Sequence, residues 1–491
     1  MSLAEDIYPF TGKYLAGGDF LRINTEHGLS FDDVLLVPKR NAFGSRMNVE
    51  LRSNLTKRIV LNVPIVSANM DTITESRLAI VMAQNGGIGI IHRFNSIEEE
   101  ANEVRKVKRQ NSYIIREPYT LSPNMSVGQA RELSRRYGVS GFPVVEGKKL
   151  VGIITNRDFW FSGDGEIVEK VMTRKKDMVF VEQDKIKEYG DFEGMFRKKK
   201  VEKVPIVDSK GNLTGMVTVK DVMNMKDSHA TKSKDGTLMV GAAIGVKDAV
   251  ERAKALLDAG ADALVIDIAH GHSDAVVDTI KKIKKNFDAE LIAGNVATYE
   301  GADELMSAGA DAVKVGIGPG SVCTTRIVTG SGIPQLTAIG WAYKAAEEHG
   351  IPIIADGGIR NSGDMAKAIA AGASTVMIGR MLAGTEESPG STIMKDGKKY
   401  KFYRGMSSIS ANSKKLEIDS SDFGLSDVVG EGNETFVPYV GSARDVIVQI
   451  AGGLRSAFSY SGSRNIEELR KNAELIRISP SAKRESYSKL D

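Results

Sequence analysis

A unit that repeats between residues 237 and 380 restricts the fold of this chain more than any other feature. It joins an alanine-rich helical stretch, an Ala-Gly-Ala step and a short apolar strand ending in Gly or Asp, and it reads ALLDAGADALVID, LMSAGADAVKVG and AIAAGASTVMIG. Gly260, Gly309 and Gly372 stand where a helix ends in a left-handed turn. The β-branched runs behind them have the continuous apolar character of parallel strands covered on both faces. A repeated helix–strand unit predicts a parallel sheet wrapped by helices. Strands of this type read VPIVSANMD, GGIGIIHR, LMVGAAIG, ALVIDIA, LIAGNVA, AVKVGIG, PIIADGG and STVMIGR. Eight of them alternating with helices predict an α/β fold, a closed (β/α)8 TIM barrel.

The chain has 491 residues, more than the roughly 250 to 300 at which a single core stops growing, so a second unit is expected. The interval between the second and third strands is too long for a loop and holds its own repeat. VSGFPVVEGKKLVGIITNRDF resembles VEKVPIVDSKGNLTGMVTVKDV. Each copy has a strand around a proline (Pro143, Pro205), a turn with Gly147 or Gly211, a second strand and a Thr-x-x-Asp: Thr155 with Asp158, Thr218 with Asp221. The reading is therefore a barrel begun by residues 1–117, interrupted by a two-repeat domain at 118–228 and completed by 229–491. The insertion is similar to a tandem cystathionine-β-synthase (CBS) pair. That resemblance implies regulatory purine nucleotides at Thr155, Asp158, Thr218 and Asp221. The same pattern also serves a helix start, Thr capping it and Asp favouring its dipole.

Charge narrows the partners. With 66 Lys and Arg against 63 Asp and Glu, no strong field draws nucleic acid or a membrane surface, and a small ligand is the better expectation. No apolar run approaches the roughly 20 residues of a membrane span. Glu5, Asp6 and Asp19 do not suit a secretory leader, so a cytoplasmic protein is expected. Ser488-Lys489-Leu490 has the form of a peroxisomal address, but Asp491 follows it. The single cysteine excludes an internal disulfide and a thiolate zinc cluster, which leaves reactivity as its interesting property.

In a barrel the loops after the strands carry the chemistry, and phosphate usually sits at those after strands seven and eight. Here they read ADGGIR and IGRML. Gly357, Gly358 and Gly379 let backbone N–H groups approach an anion, and Ser321 adds a hydroxyl from the sixth loop. Asp356 suits a carboxylate that accepts from two ribose hydroxyls. The expected occupant is a nucleoside monophosphate. Cys323 lies on the same face in GIGPGSVCTTR. A glycine-rich polar loop makes a poor core and a good place to expose a nucleophile.

SANMDT, GGIGIIHR, AGNVAT, GPGSVCTTR, IADGGIR, MLAGTEESPG, YRGMSS and GGLRSAFSYSG follow one another in the order found in the inosine-monophosphate (IMP) dehydrogenase/GMP reductase superfamily, which the chain resembles over its whole length. The resemblance implies that Cys323 attacks purine C2. It implies that Ser67, Ser321, Asp356, Gly358, Gly379, Arg380, Tyr403, Gly405, Met406, Ser407 and Gly432 hold the nucleotide. Asp267, Ala269, Asn295, Gly316 and Arg326 would meet a nicotinamide cofactor, carbonyls of Gly318, Gly320 and Cys323 a potassium ion, and the assembly would be a homotetramer or octamer. His270 and His272 lack the placed carboxylate a metal site needs.

Within the superfamily, the dehydrogenase hydrolyses its adduct with an Arg-Tyr pair on a flap that follows YRGM. The corresponding stretch here, SSISANSKKLEIDSSDFGLSDVVGEG, contains neither residue, and Phe423 follows SSD. Loss of such a base removes proton-transfer catalysis worth about 10²–10⁴-fold. A reductase has no need of it, and Thr325 and Glu431 match the Thr and Glu that assist ammonia release there. The expectation is an NADPH-dependent GMP reductase. Strand three, GAAIG, and the insertion favour the alternative, an NAD-dependent IMP dehydrogenase; a non-catalytic purine nucleotide sensor is the third reading.

Overall fold

The structure is a computed structural model that describes residues 14–17, 21–24, 27–109, 114–115, 118–137, 139–186, 190–219, 222, 229–411, 413 and 430–486. The chain forms two compact units, one of residues 1–107, 229–231 and 239–491, the other of residues 108–228 and 232–238.

The first unit is a closed barrel of β1 (Ile65–Ser67), β2 (Ile88–Ile91), β3 (Val240–Ile244), β4 (Ala263–Ile266), β5 (Glu290–Val296), β6 (Ala312–Val315), β7 (Ile353–Asp356) and β8 (Thr375–Ile378). Every neighbouring pair is parallel, and β8 closes on β1 through Ile378 and Ser67. These are the eight strands read from the sequence, and the TIM barrel is the fold. Its interior is packed with Val66, Ile90, Val265, Ile292, Ile354 and Met377, joined by Leu55, Ile59 and Leu61 from a short hairpin. Such filling makes the barrel a rigid core rather than a pore, so function falls to the loops.

The repeated Ala-Gly-Ala step works as its composition suggests. Gly372 ends the helix Ser362–Ala370 with φ +122°, and a Cβ there would lie 2.2 Å from Tyr343 Cγ. Only glycine meets both demands. The same helix starts at Asn361, whose side chain accepts from the Asp364 N–H. The helix Tyr299–Ser307 starts likewise at Thr298, which accepts from Gly301.

The second unit has two small sheets with separate cores. Gly141–Glu146 and Lys149–Thr155 form one antiparallel hairpin, with Phe142, Val144, Ile154 and Phe159 buried beneath it. Lys203–Val207 and Leu213–Thr218 form the other, over Phe192, Val204, Ile206 and Val217. Ile114–Ile115 pairs with the second hairpin, which carries the unit upstream of residue 118. In the first copy Thr155 donates through its N–H (2.7 Å) and its hydroxyl (2.9 Å) to Asp158 Oδ2 at the start of the helix Asn156–Trp160. Asp221 of the second copy lies outside the described residues.

Candidate active site

The end expected to hold phosphate is built from loops six, seven and eight. Gly357 and Gly358, just past β7, have φ of +91° and +78°. Loops six and seven touch so closely that a Cβ on Gly316 would lie 2.0 Å from the Asp356 carbonyl oxygen. Gln335 fastens them, its Nε2 donating to the Val315 (2.9 Å) and Asp356 (3.0 Å) carbonyls. The result is a cavity of about 280 Å³ whose wall includes Ser321, Asp356, Gly358, Gly379, Arg380 and Tyr403. The Tyr403 hydroxyl is 3.3 Å from Ser321 Oγ. Burial pushes the Tyr403 pKa up, against the opposing pull of Ser321 and Arg380, so the phenol stays a neutral donor.

Phe31 and Asp32 close the same cavity from the N-terminal side. Asp32 accepts two hydrogen bonds from the Arg360 guanidinium, one of 3.0 Å through Nη1, and lies 2.9 Å from Lys483 Nζ. The Arg360 hydrogen bond above all holds the Asp32 pKa at about 2. Strand Leu475–Arg477 pairs with Val34–Leu36, just past Asp32.

A second cavity of about 370 Å³ adjoins the first through Ala68, Met70, Asp356 and Met377. Arg93, Asp267, Ala269, Asn295, Lys314, Met406 and Ser407 line it. Lys314, in β6, is only 3% exposed and lies 2.8 Å from Asp356 Oδ2 and 3.4 Å from Asp267 Oδ1. Asn295 Nδ2 donates to Asp356 Oδ2 at 3.0 Å and to the Gly316 carbonyl at 2.8 Å. Burial works against charge on Lys314 and on Asp267. It is outweighed: Asp356 and Asp267 hold the Lys314 pKa above its ordinary value, and Lys314 and Arg93 hold Asp267 below its own.

The loop of the expected nucleophile completes the site. Cys323 N–H donates to the Gly320 carbonyl (3.1 Å), and Thr324 N–H donates to the Glu431 carbonyl (2.9 Å). Glu431 N–H donates in turn to Ser407 (2.9 Å), which ties loop six to the segment after YRGM. The Cys323 S–H donates to Thr325 Oγ1 at 3.2 Å, and the Thr325 hydroxyl donates to Glu431 Oε2 at 2.7 Å. Thiol, hydroxyl and carboxylate thus form one continuous chain of hydrogen bonds. A Cβ on Gly405 would meet the Gly432 Cα at 3.0 Å, so these two glycines allow the backbones to cross.

Not every expected residue reaches the cavities. Ser67 is fully buried, with its hydroxyl 2.8 Å from Thr74 Oγ1. Arg326 lines the phosphate-side cavity, and its Nη2 donates to the Ile333 carbonyl at 2.6 Å. His272 is 2.9 Å from Glu304, and among the described residues no group of three or more His, Cys, Asp or Glu could hold a metal ion. Phe423 and Ser488–Leu490 lie outside the described residues. Sequence reading missed Lys314, whose signal is a lysine inside the buried strand AVKV, and the Asp32 wall, which has no local signal.

The IMP dehydrogenase / GMP reductase domain family matches residues 28–489. An inosine-5'-monophosphate dehydrogenase of Nitrosopumilus maritimus is 50% identical over 466 residues, covering 92% of this chain and 96% of its own. A GMP reductase of Leishmania major is 45% identical over 477 residues, covering 94% and 96%. A solved structure of GMP reductase from Trypanosoma brucei in complex with guanosine 5'-monophosphate superposes with a TM-score of 0.83 at 42% identity, covering 94% and 98%. Among the described residues no helix is long and apolar enough to cross a membrane. Matches of this extent, on a barrel whose sixth loop sets its single cysteine beside a hydroxyl and a carboxylate, place the chain in the IMP dehydrogenase/GMP reductase family of nicotinamide-dependent oxidoreductases.

Proposed function

We propose that the chain catalyses the reductive deamination of GMP to IMP and ammonia with NADPH. One observation carries the reading: the Cys323–Thr325–Glu431 path is complete, while the sequence from Ser407 to Gly430 holds neither arginine nor tyrosine to activate water. The Leishmania and Trypanosoma relatives named GMP reductases support it.

The nucleotide phosphate would sit against Ser321, Gly358, Gly379, Arg380 and Tyr403, with its ribose on Asp356 and its base along Met406. Cys323 loses its proton along Thr325 to Glu431 and its sulfur bonds to purine C2. The C2–N bond then breaks, Glu431 returns the proton through Thr325 to the departing amine, and ammonia leaves. NADPH, when bound, would supply a hydride to C2, and Cys323, released as a thiolate when the C–S bond breaks, takes up a solvent proton to close the cycle. The second cavity suits a polar nicotinamide: Asn295 Oδ1 and Arg93 Nε are buried there without partners among the described residues. Carbonyls of Gly318, Gly320 and Cys323, in one tight turn, would hold a potassium ion. The two halves of the second unit would be a CBS pair that takes purine nucleotides at Thr155, Asp158 and Thr218, ligands that must compete with the bonds Thr155 already makes to Asp158.

A second reading, NAD-dependent oxidation of IMP, is favoured by the name of the Nitrosopumilus relative. Product analysis separates the two. Incubation with GMP and NADPH should yield IMP and ammonia in equal amounts, whereas xanthosine monophosphate from IMP and NAD+ would favour the second.

A further inference from the structure

One buried cation stands where the two cavities meet, and neither the nucleophile path nor the phosphate wall uses it. Lys314 occupies a barrel strand among Val313 and Val315, both fully buried. An ammonium so placed needs partners to offset its lost hydration. Among the described residues it has two, from loops expected to serve different ligands: Asp356, at the end of β7, and Asp267, after β4. Both bonds to the Asp356 side chain, from Lys314 and from Asn295, end on Oδ2. That fixes the carboxylate plane and reserves Oδ1 for a ligand. The neighbouring strand is shaped to leave room, since a Cβ on Gly294 would come within 2.7 Å of Lys314 Cβ.

We propose that Lys314 is a positioning residue that holds Asp356 for the nucleotide ribose and Asp267 for the cofactor at once, so that affinity for both ligands depends on it. The proposal rests on the nucleotide reading above. Without the cation, two carboxylates would face each other across the junction of the cavities. Removing one of them should then relieve the other, which a purely architectural lysine does not predict.

The test uses the full chain as wild type, Lys314→Met, Lys314→Arg, Asp267→Asn and the double variant Lys314→Met with Asp267→Asn, titrated calorimetrically with GMP, IMP and NADP+. Lys314→Met should weaken all three ligands by about tenfold or more, as expected when a buried charge loses its partner, and Lys314→Arg should weaken them less. The double variant should recover nucleotide affinity to within about threefold of Asp267→Asn alone, yet still bind NADP+ poorly. Nucleotide affinity of Lys314→Met within about twofold of wild type overturns the proposal. So does a double variant that binds nucleotide no better than Lys314→Met, or one that fails to fold. Wild type that binds neither GMP nor IMP instead refutes the nucleotide reading itself.

Discussion

Replacing Glu431 by Gln tests the proton path with little change in shape. The backbone of Glu431 is held on both sides, by Ser407 and Thr324, and an amide oxygen can still accept from the Thr325 hydroxyl at a distance near 2.7 Å. What is lost is the ability to store a proton. Ground-state binding should change little, since exchanging a charge-assisted for a neutral hydrogen bond costs about 1 kcal/mol. Proton transfer is worth about 10²–10⁴-fold, or roughly 3–5 kcal/mol of barrier. Two assays separate the roles. Turnover of GMP with NADPH, which requires ammonia release, should fall by that factor. The pre-steady-state burst of NADPH from IMP and NADP+, which forms the C2 adduct without any ammonia release, should keep its rate to within about tenfold when measured at about pH 8.5, where thiols in general ionise appreciably to solvent without a base. Equal losses in the two assays, or no loss in either, would show that Glu431 only shapes the loop.

Cys323→Ala should abolish GMP turnover while GMP binding by calorimetry stays within about threefold of wild type, since Cys323 lines neither cavity and the phosphate and ribose contacts remain. Asp32→Asn should destabilise the barrel unit at neutral pH. The depressed Asp32 pKa means that its stabilisation is complete above about 4 and is lost as pH falls toward 2, so urea midpoints of wild type and variant should converge across that window. The upper bound is about 2.5 kcal/mol, reduced by screening because Arg360 is 47% exposed. Asp158→Ala should cost the first hairpin's helix about 1 kcal/mol, read by hydrogen exchange. It should also blunt any response of turnover or particle mass to added ATP or GTP.

The barrel is legible in the sequence because β4, β6 and β8 are announced twice, by their own apolar runs and by Gly260, Gly309 and Gly372, which end the helices before them. Gly372 shows why: no other residue fits its backbone angle and its approach to Tyr343. The nucleophile loop is legible for a related reason, since Cys323, Thr325 and the glycines around them are neighbours in the chain. Groups assembled from afar are not. Lys314 reads as one polar position in an apolar strand, and its partners lie 47 and 42 residues away. Asp32 and Arg360 are separated by 328 residues, and nothing local marks them as a wall. Ser67, which the family resemblance assigns to the nucleotide, is buried with its hydroxyl beside that of Thr74, a pairing that neither position announces. The second unit begins before residue 118 because Ile114–Ile115 is too short a strand to stand out before it is paired.

The central claim is that this site resolves its cysteine adduct with hydride rather than water, and absorbance at 340 nm tests it most directly. Purified protein is followed in parallel with GMP plus NADPH and with IMP plus NAD+, in potassium buffer. The account predicts a sustained fall in the first, abolished by Cys323→Ala, and no sustained gain in the second. A sustained gain with IMP and NAD+, with no fall in the presence of GMP and NADPH, would contradict it.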